Sequence, residues 1–315
     1  MNIQQLQYIV AVDEHRHFQR AAEACFITPA TLSMMIKKLE QELNLVIFDR
    51  SRQPIVPTQQ GINIIEKAKT ILYHIKDLED TAKYTTEEIA GEIRIAIIPT
   101  LAPYLSYLFL PNLIKKYPKL KIKLYEWNTE HITDALRHNR LDVGIAATPL
   151  NLPEISEHPI FYEKLVAYTD EITTSIPKTY ITPEDINLKR LWLLEEDHCL
   201  RSQVINLCSL KKKGDENLQI DFEAGSIETL LNIIGINEGI TIIPELVVHT
   251  LSDERKQKVR QFADPVPVRE ISMLTYRNYF KENILEAIKI EIQNAIKPYI
   301  STIENSKMVI DINNR

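Results

Sequence analysis

The sequence predicts an all-α winged helix-turn-helix extended by a long linker helix, followed by an α/β region of two subdomains. Three observations predict it. Residues 3–43 contain three short apolar-periodic segments, the third opening on Thr28-Pro29. Residues 59–88 carry one long helical pattern with a continuous apolar stripe. From residue 92, strand-like runs alternate with helical ones, the signature of layered α/β structure. The chain has 315 residues, of which 44% are hydrophobic and 25% charged. That is enough for two or three packed units and is unlike a disordered chain.

A first helix is expected over residues 3–14, with Leu6, Ile9, Val10 and Val12 apolar. A second runs from Phe18 to Cys25, where Ala21 and Ala22 let a neighbouring helix approach closely. After the Phe26-Ile27 turn, Thr28 suits an N-cap and Pro29 the first helical position, where a missing N–H costs nothing. In the helix that follows, Leu32, Ile36, Leu39 and Leu43 fall on one inner face. Ala30, Thr31, Met34, Lys37 and Lys38 fall on the other.

Two short helices around a tight turn, the second with a polar outer face, fit a DNA-reading unit. Pro29, Ala30, Thr31, Ser33 and Met34 would face base edges and Lys37 and Lys38 phosphate, with the capping Thr28 also counted in the DNA-binding set. Thr31 or Met34 suits a thymine methyl, but neither gives the bidentate arginine–guanine contact. Specificity then rests partly on DNA shape. Residues 45–48 and 54–58 read as a wing whose Arg50 and Arg52 face phosphate or a minor groove. The net charge of −6 argues weakly against nucleic acid. Residues 1–60 hold six basic and six acidic side chains, so the charge is permissive there.

Thr58 is placed to cap the long helix, expected over 59–88. Ile65, Ala68, Leu72, Ile75 and Ala82 form one seam, with Ile64, Ile71 and Leu78 beside it. Such a stripe suits a partner helix or an intrachain core. Gly91 reads as a hinge or C-cap.

Beyond it, strands are expected at 93–98, 121–126 and 142–146, with helices at 108–117 and 132–138, implying a mainly parallel sheet. A second subdomain holds strands at 191–194, 219–223 and 240–243 and a helix at 227–236. A strand at 270–276 and a helix at 284–299 return to the first subdomain. Two crossovers therefore join the subdomains, as in periplasmic binding proteins. Ligands in such folds bind at the carboxyl ends of strands, where Thr100 and Thr129 fall, although either also suits a helix N-cap.

Of the three cysteines, Cys25 lies in the helix-turn-helix and reads as core. The run LEEDHCLRSQVINLCSL carries Cys199 and, nine positions on, Cys208. His198 and Arg201 favour a reactive thiolate at Cys199, while Glu195, Glu196 and Asp197 oppose it. Spacing alone leaves open a redox pair or two packed hydrophobes. No Cys/His cluster has zinc spacing, no apolar run suits a membrane span, and no signal peptide is evident. A cytoplasmic protein without metal or cofactor is expected.

The stretch from Phe18 to Gly61 resembles the LysR family of transcription regulators. Phe18, Ala21, Ala22, Leu32, Ser33, Lys38, Leu39, Glu40, Leu43, Ile47, Phe48, Arg50, Thr58 and Gly61 match that family's pattern without a gap. The resemblance continues, toward the family's peroxide-sensing branch, in EHRHF (14–18), in Ile98–Leu105, in the Leu194–Cys208 run, in SIETL (226–230) and in GITIIP (239–244). Asp197 departs from the branch's usual Gly and Ser202 from a frequent Asp, and residues 301–315 have no evident counterpart.

The resemblance implies a DNA-binding domain over 1–58, a dimerising linker over 59–91, and a sensor domain over 92–300. Subdomain I of the sensor would comprise about 92–163 and 266–300, and subdomain II about 164–265. It also implies a non-enzymatic activator of oxidative-stress genes, acting on double-stranded promoter DNA with RNA polymerase as a homodimer or homotetramer. Hydrogen peroxide would be the signal, Cys199 the peroxidatic thiol and Cys208 the resolving one. Thr100, Thr129 and His198 would shape the peroxide pocket, and Arg201 would support the thiolate. Two alternatives remain: a regulator binding a small effector between the subdomains, and a thiol peroxidase.

Overall fold

A computed structural model describes the chain except residues 84–88, 170–179, 187–189, 209–222, 238, 277–281, 302–306 and 313–315. The described residues form two compact units, 1–88 with 138–140 and the remainder.

In the first unit α1 (Ile3–His15) is closed at its start by a capping box between Asn2 and Gln5. α2 (Phe18–Ala24) follows, and α3 (Pro29–Leu43) begins where Thr28 Oγ1 accepts from the Thr31 N–H at 3.2 Å. Leu32, Ile36 and Leu39 are fully buried with Ile9, Val12, Ala21 and Ala22, so the four-three spacing does build the core. β1 (Phe48–Asp49) and β2 (Val56–Pro57) pair antiparallel as a short wing.

α4 (Gln59–Lys83) starts under Thr58, whose Oγ1 accepts from the Gly61 N–H at 2.9 Å. A Cβ on Gly61 would lie 2.0 Å from the Ile47 carbonyl oxygen, so only glycine lets this helix lie against the wing's base. The apolar stripe divides. Ile65 and Ala68 are buried in the core beside α1, whereas Ile71 and Leu78 are exposed. The end expected for this helix, residues 84–88, lies outside the described residues, as do the surroundings of Ala82.

The second unit opens with Gly91 at φ 101°, a left-handed value glycine adopts without steric cost, as the first residue of β3 (Gly91–Ile97). α5 (Ala102–Lys116), β4 (Leu120–Glu126), α6 (Thr129–Arg137) and β5 (Val143–Thr148) follow. α5 begins six residues earlier than expected, because Pro103 in its first turn is tolerated there.

β6 (Ile155–Thr169) is a 15-residue strand that the sequence reading did not recognise. A proline such as Pro159 inside an extended run removes a ladder donor and is unfavourable within a sheet. The structure accommodates it at a register shift in the pairing with β10, as proline in sheets requires.

β7 (Tyr180–Ile181), α7 (Cys199–Leu207), α8 (Ile227–Asn237), β8 (Ile240–Pro244), α9 (Glu245–Val248), α10 (Asp253–Lys256) and β9 (Val259–Phe262) make up the second half of the unit. β10 (Val266–Tyr276), α11 (Glu282–Ile296) and β11 (Lys307–Val309) close the described chain. Leu191 and Leu194 form only isolated bridges, to Ile240 and Ala224, in place of the expected strand. Residues 219–222 of the other expected strand lie outside the described residues.

Strand order is β4-β3-β5-β10-β6-β9-β7, with β8 also on β6 and β11 also on β10. Only β4, β3 and β5 form the parallel sheet expected; β10 and β6 run antiparallel beside it. β6 pairs with β10 up to Lys164 and with β8 from Leu165 onward, carrying the chain from one half to the other.

Candidate redox site and nucleic-acid interface

β3 and β4 run parallel and deliver Thr100 and Thr129 just beyond their carboxyl ends. Neither threonine is the N-cap that its position also allowed. Leu101 precedes α5 without a side-chain cap bond, and Asn128 Oδ1 accepts from the His131 N–H at the start of α6. Thr129 is thereby released to point elsewhere, and its Oγ1 lies 2.9 Å from Cys199 Sγ.

Cys199 is the first residue of α7, where unpaired N–H groups and the helix dipole favour negative charge. Burial nonetheless pushes its thiol above the ordinary value. The Thr129 hydrogen bond, and then the Arg269 charge, pull it back down, while Asp197 adds to the rise.

Arg269 was not anticipated from the sequence. It is 1% exposed on β10 and donates from Nε to Glu163 Oε2 at 2.8 Å. It also donates to Thr100 Oγ1 at 3.1 Å and to the Thr100 carbonyl at 3.2 Å. The other Glu163 oxygen accepts from the Leu246 N–H at 2.8 Å. Thr100 is therefore joined to the site through a buried cation.

Arg201 is engaged with the segments on either side of the redox helix. Its guanidinium donates to the Leu194 carbonyl at 2.7 Å and pairs with Glu223 at 2.9 Å. Two residues along a helix place side chains on nearly opposite faces, and the contact to Leu194 ties Arg201 to the loop before α7. His198, 6% exposed, has Nε2 3.7 Å from Asp197 Oδ1. Asp197 also accepts from Asn128 Nδ2 at 3.0 Å. Glu195, Asp197 and His198 bring ligand-type atoms within 4.8 Å of one another. Both acids are exposed, an ordinary solvated arrangement.

Cys208 caps the far end of α7, and burial raises its thiol to about 11. All three cysteines are free. Nine residues of helical rise separate the two sulfur-bearing positions by roughly 13 Å, about twice the Cα separation a disulfide tolerates. Cys25 packs against the core of the first unit.

In the first unit Thr28, Pro29, Ala30, Met34, Lys37 and Lys38 are exposed on one side of α3, with Thr31 and Ser33 half-buried. Met34 is 63% exposed, and Phe26 in the preceding turn is 96% exposed. Arg50 and Ser33 meet each other. Arg50 donates to Ser33 Oγ at 3.1 Å and to Glu40 Oε2 at 2.9 Å, and its guanidinium carbon lies 5.2 Å from the centre of the Phe18 ring. The other Glu40 oxygen accepts from the Ile47 and Phe48 N–H groups. The arginine thus ties the wing to α3. Arg52 is exposed and pairs with Asp49 at 3.3 Å.

Two family models match the chain. Residues 3–62 match "Bacterial regulatory helix-turn-helix protein, lysR family" and residues 86–289 match "LysR substrate binding domain". A hydrogen peroxide-inducible genes activator of Haemophilus influenzae is 33% identical over 301 residues, 94% of this chain and 99% of the relative. The DNA-binding transcriptional dual regulator OxyR of Escherichia coli is 35% identical over 248 residues, 79% of this chain and 80% of the relative. Among solved structures, a cysteine-to-aspartate variant of full-length OxyR from Pseudomonas aeruginosa superposes with a TM-score of 0.72. It is 28% identical, and the match covers 93% of this chain and 98% of that one. OxyR from Porphyromonas gingivalis superposes with a TM-score of 0.63 at 28% identity, covering 70% and 100%.

Proposed function

Given that the chain belongs to the LysR family of bacterial transcription regulators, we propose that it is a regulator of promoter DNA switched by hydrogen peroxide through a Cys199–Cys208 disulfide. The observation that carries this reading is the Thr129 hydroxyl at 2.9 Å from a cysteine sulfur seated on a helix N-terminus, with a second cysteine at that helix's other end.

The chemistry follows from the placement. Cys199 loses its proton and its thiolate attacks one peroxide oxygen. The S–O bond forms as the O–O bond breaks, and hydroxide leaves and takes up a proton. Thr129 stabilises the thiolate, the field of Arg269 acts in the same direction, and buried His198 lines the approach. Cys208 then attacks the Cys199 sulfur, the S–S bond forms, the S–O bond breaks, and water departs. Two thiols and one peroxide give one disulfide and two waters. With the sulfurs at opposite ends of α7, the second step requires that helix to unwind.

A disulfide closing this loop constrains the chain by roughly 3 kcal/mol, while a full two-state reversal takes about 5.5 kcal/mol. Several subunits switching together supply the difference. The exposed Ile71 and Leu78 of α4 suit a helix-to-helix dimer, and two dimers a tetramer. The reaction is stoichiometric signalling, not turnover, with RNA polymerase recruited at the promoter in the cytoplasm. No described helix is long and apolar enough to cross a membrane. On the DNA, Lys37, Lys38 and Arg52 hold phosphate, and Pro29, Ala30, Thr31 and Met34 meet base edges. Ser33 and Arg50 act by bracing α3 against the wing.

Thiol mass mapping before and after one equivalent of peroxide tests the reading. The expected result is rapid loss of two hydrogens, localised to a Cys199–Cys208 link. Slow and equal oxidation of all three thiols would overturn it and favour a small effector bound between the halves.

A further inference from the structure

The last described residues of the chain reach the redox helix. β11 lies parallel to the start of β10, with Lys307, Met308 and Val309 opposite Val266, Pro267 and Val268. The Ile310 N–H donates to the Val268 carbonyl at 2.9 Å, and Ile310 is 5% exposed within the main core. The segment is thus held as a strand and plugged into the core by one isoleucine.

Its next carbonyls face α7. Gln203 Nε2 donates to the Ile310 carbonyl at 3.2 Å, and Asn206 Nδ2 to the Asp311 carbonyl at 2.7 Å. The inner face of α7 consists of Leu200, Gln203, Val204 and Leu207, all buried. Gln203 is the one polar side chain on that face, and it is fully buried. A buried amide is costly unless hydrogen-bonded, and here the partner is the backbone of the chain's end. Gln203 Oε1 is buried without a partner among the described residues.

We infer that Gln203 and Asn206 are positioning residues that fasten the redox helix to residues 307–311, and that this fastening sets how readily α7 unwinds once Cys199 is oxidised. The inference rests on the disulfide reading above and adds its regulation. Both amides lie between the two cysteines in sequence. Unwinding α7 to bring Cys208 to Cys199 moves both away from the Ile310 and Asp311 carbonyls, so the disulfide and the fastening exclude each other. The tail acts only on the second step, because neither amide contacts Cys199, Thr129 or Arg269 by any bond described above.

The experiment separates the steps. In a Cys208→Ser background, sulfenic acid at Cys199 is trapped with dimedone. In the parent chain, disulfide formation is followed by rapid quench and thiol alkylation. Asn206→Leu, which removes one bond at a half-buried position, and a chain ending at Ser301 are compared with the parent. Two neutral hydrogen bonds together are worth about tenfold in an equilibrium.

The truncated chain should form its disulfide about tenfold faster, Asn206→Leu about threefold faster, and neither should change the dimedone rate. The disulfide midpoint potential of the truncated chain should fall by that tenfold, about 30 mV. Amide hydrogen exchange of reduced α7 should quicken in both variants, a readout that needs no peroxide. Unchanged α7 exchange and unchanged disulfide rates would overturn the fastening. If exchange quickens but no variant, nor the parent, forms sulfenic acid, the peroxide reading fails while the fastening stands.

Discussion

Replacing Thr129 by valine removes the hydroxyl 2.9 Å from Cys199 Sγ and keeps a branched side chain of similar shape at the start of α6. A hydrogen bond to an ionised partner is worth about 1.5–3 kcal/mol, so the thiolate population at neutral pH should drop roughly 10- to 100-fold. The rate drops less, because a more basic thiolate is a better nucleophile. With a Brønsted slope of about 0.4–0.5, close to half of the loss on a logarithmic scale is returned. The net expectation is a slowdown of about three- to tenfold. The assay is dimedone trapping of Cys199 in the Cys208→Ser background across a pH series. Thr129→Val should slow trapping by that factor at neutral pH and displace the profile to higher pH. Thr129→Ser, which restores the hydroxyl, should return both. If Thr129→Val matched its parent in rate and in pH profile, the contact would be packing alone, and the reactivity of Cys199 would rest on Arg269 and the helix terminus.

Four further outcomes follow from the same geometry. Burial holds the Cys208 thiol at about 11 against an ordinary 9.0. Iodoacetamide should therefore label it in the native reduced protein with a midpoint near that higher value, and in urea near the lower one. A raised folded value stabilises the fold below the unfolded value and is lost as pH rises through the folded one, so this part of the stability should disappear between those two pH values in alkaline denaturation. Lys37→Ala and Lys38→Ala should each weaken DNA binding uniformly across sequences and reduce the salt slope by about one; a change confined to one base position would mean base readout instead. Gly61→Ala puts a methyl 2.0 Å from the Ile47 carbonyl oxygen, which should destabilise the DNA-binding unit by about 1–3 kcal/mol or more in urea titration. Arg269→Met leaves Glu163 buried without its cation, at a cost of about 3–5 kcal/mol. It should also slow sulfenic acid formation, whereas an unchanged trapping rate would remove Arg269 from the site.

What could be read from the sequence follows the range of the interactions. The helix-turn-helix was legible because its signals are local: Thr28 caps, Pro29 starts, and Leu32, Ile36 and Leu39 repeat at helical spacing within one element. Thr129 was legible as a strand-end residue, but its pairing with Cys199 spans 70 residues and came only through family resemblance. β6 was not read from the sequence, and Pro159 inside it resembles a break until the neighbouring strand shows that the register shifts around it. Arg201 was expected to support the thiolate from its closeness in sequence and from the family resemblance. Closeness along a helix is a poor guide here, since a residue two positions on faces the other way. The arginine whose charge reaches the sulfur arrives on β10, 70 positions later. One cue was available. Glu163-Lys164 and Arg269-Glu270 each break a largely apolar run, Ile160–Tyr168 and Val266–Tyr276, and strand alternation sends one charge of each pair to the buried face. A charge on the buried face of a strand is tolerated only with an opposite partner, so two such strands imply a buried pair, although which charge of each doublet faces inward is seen only in the fold. The same logic applies to Gln203, a lone amide on an apolar helix face. Such a residue implies a backbone partner somewhere, and here that partner is the segment beyond residue 300 for which the sequence offered no counterpart. A nucleophile can therefore be located from its neighbours in sequence, whereas the groups that set its ionisation and hold its helix are found by asking which buried polar side chains need a partner.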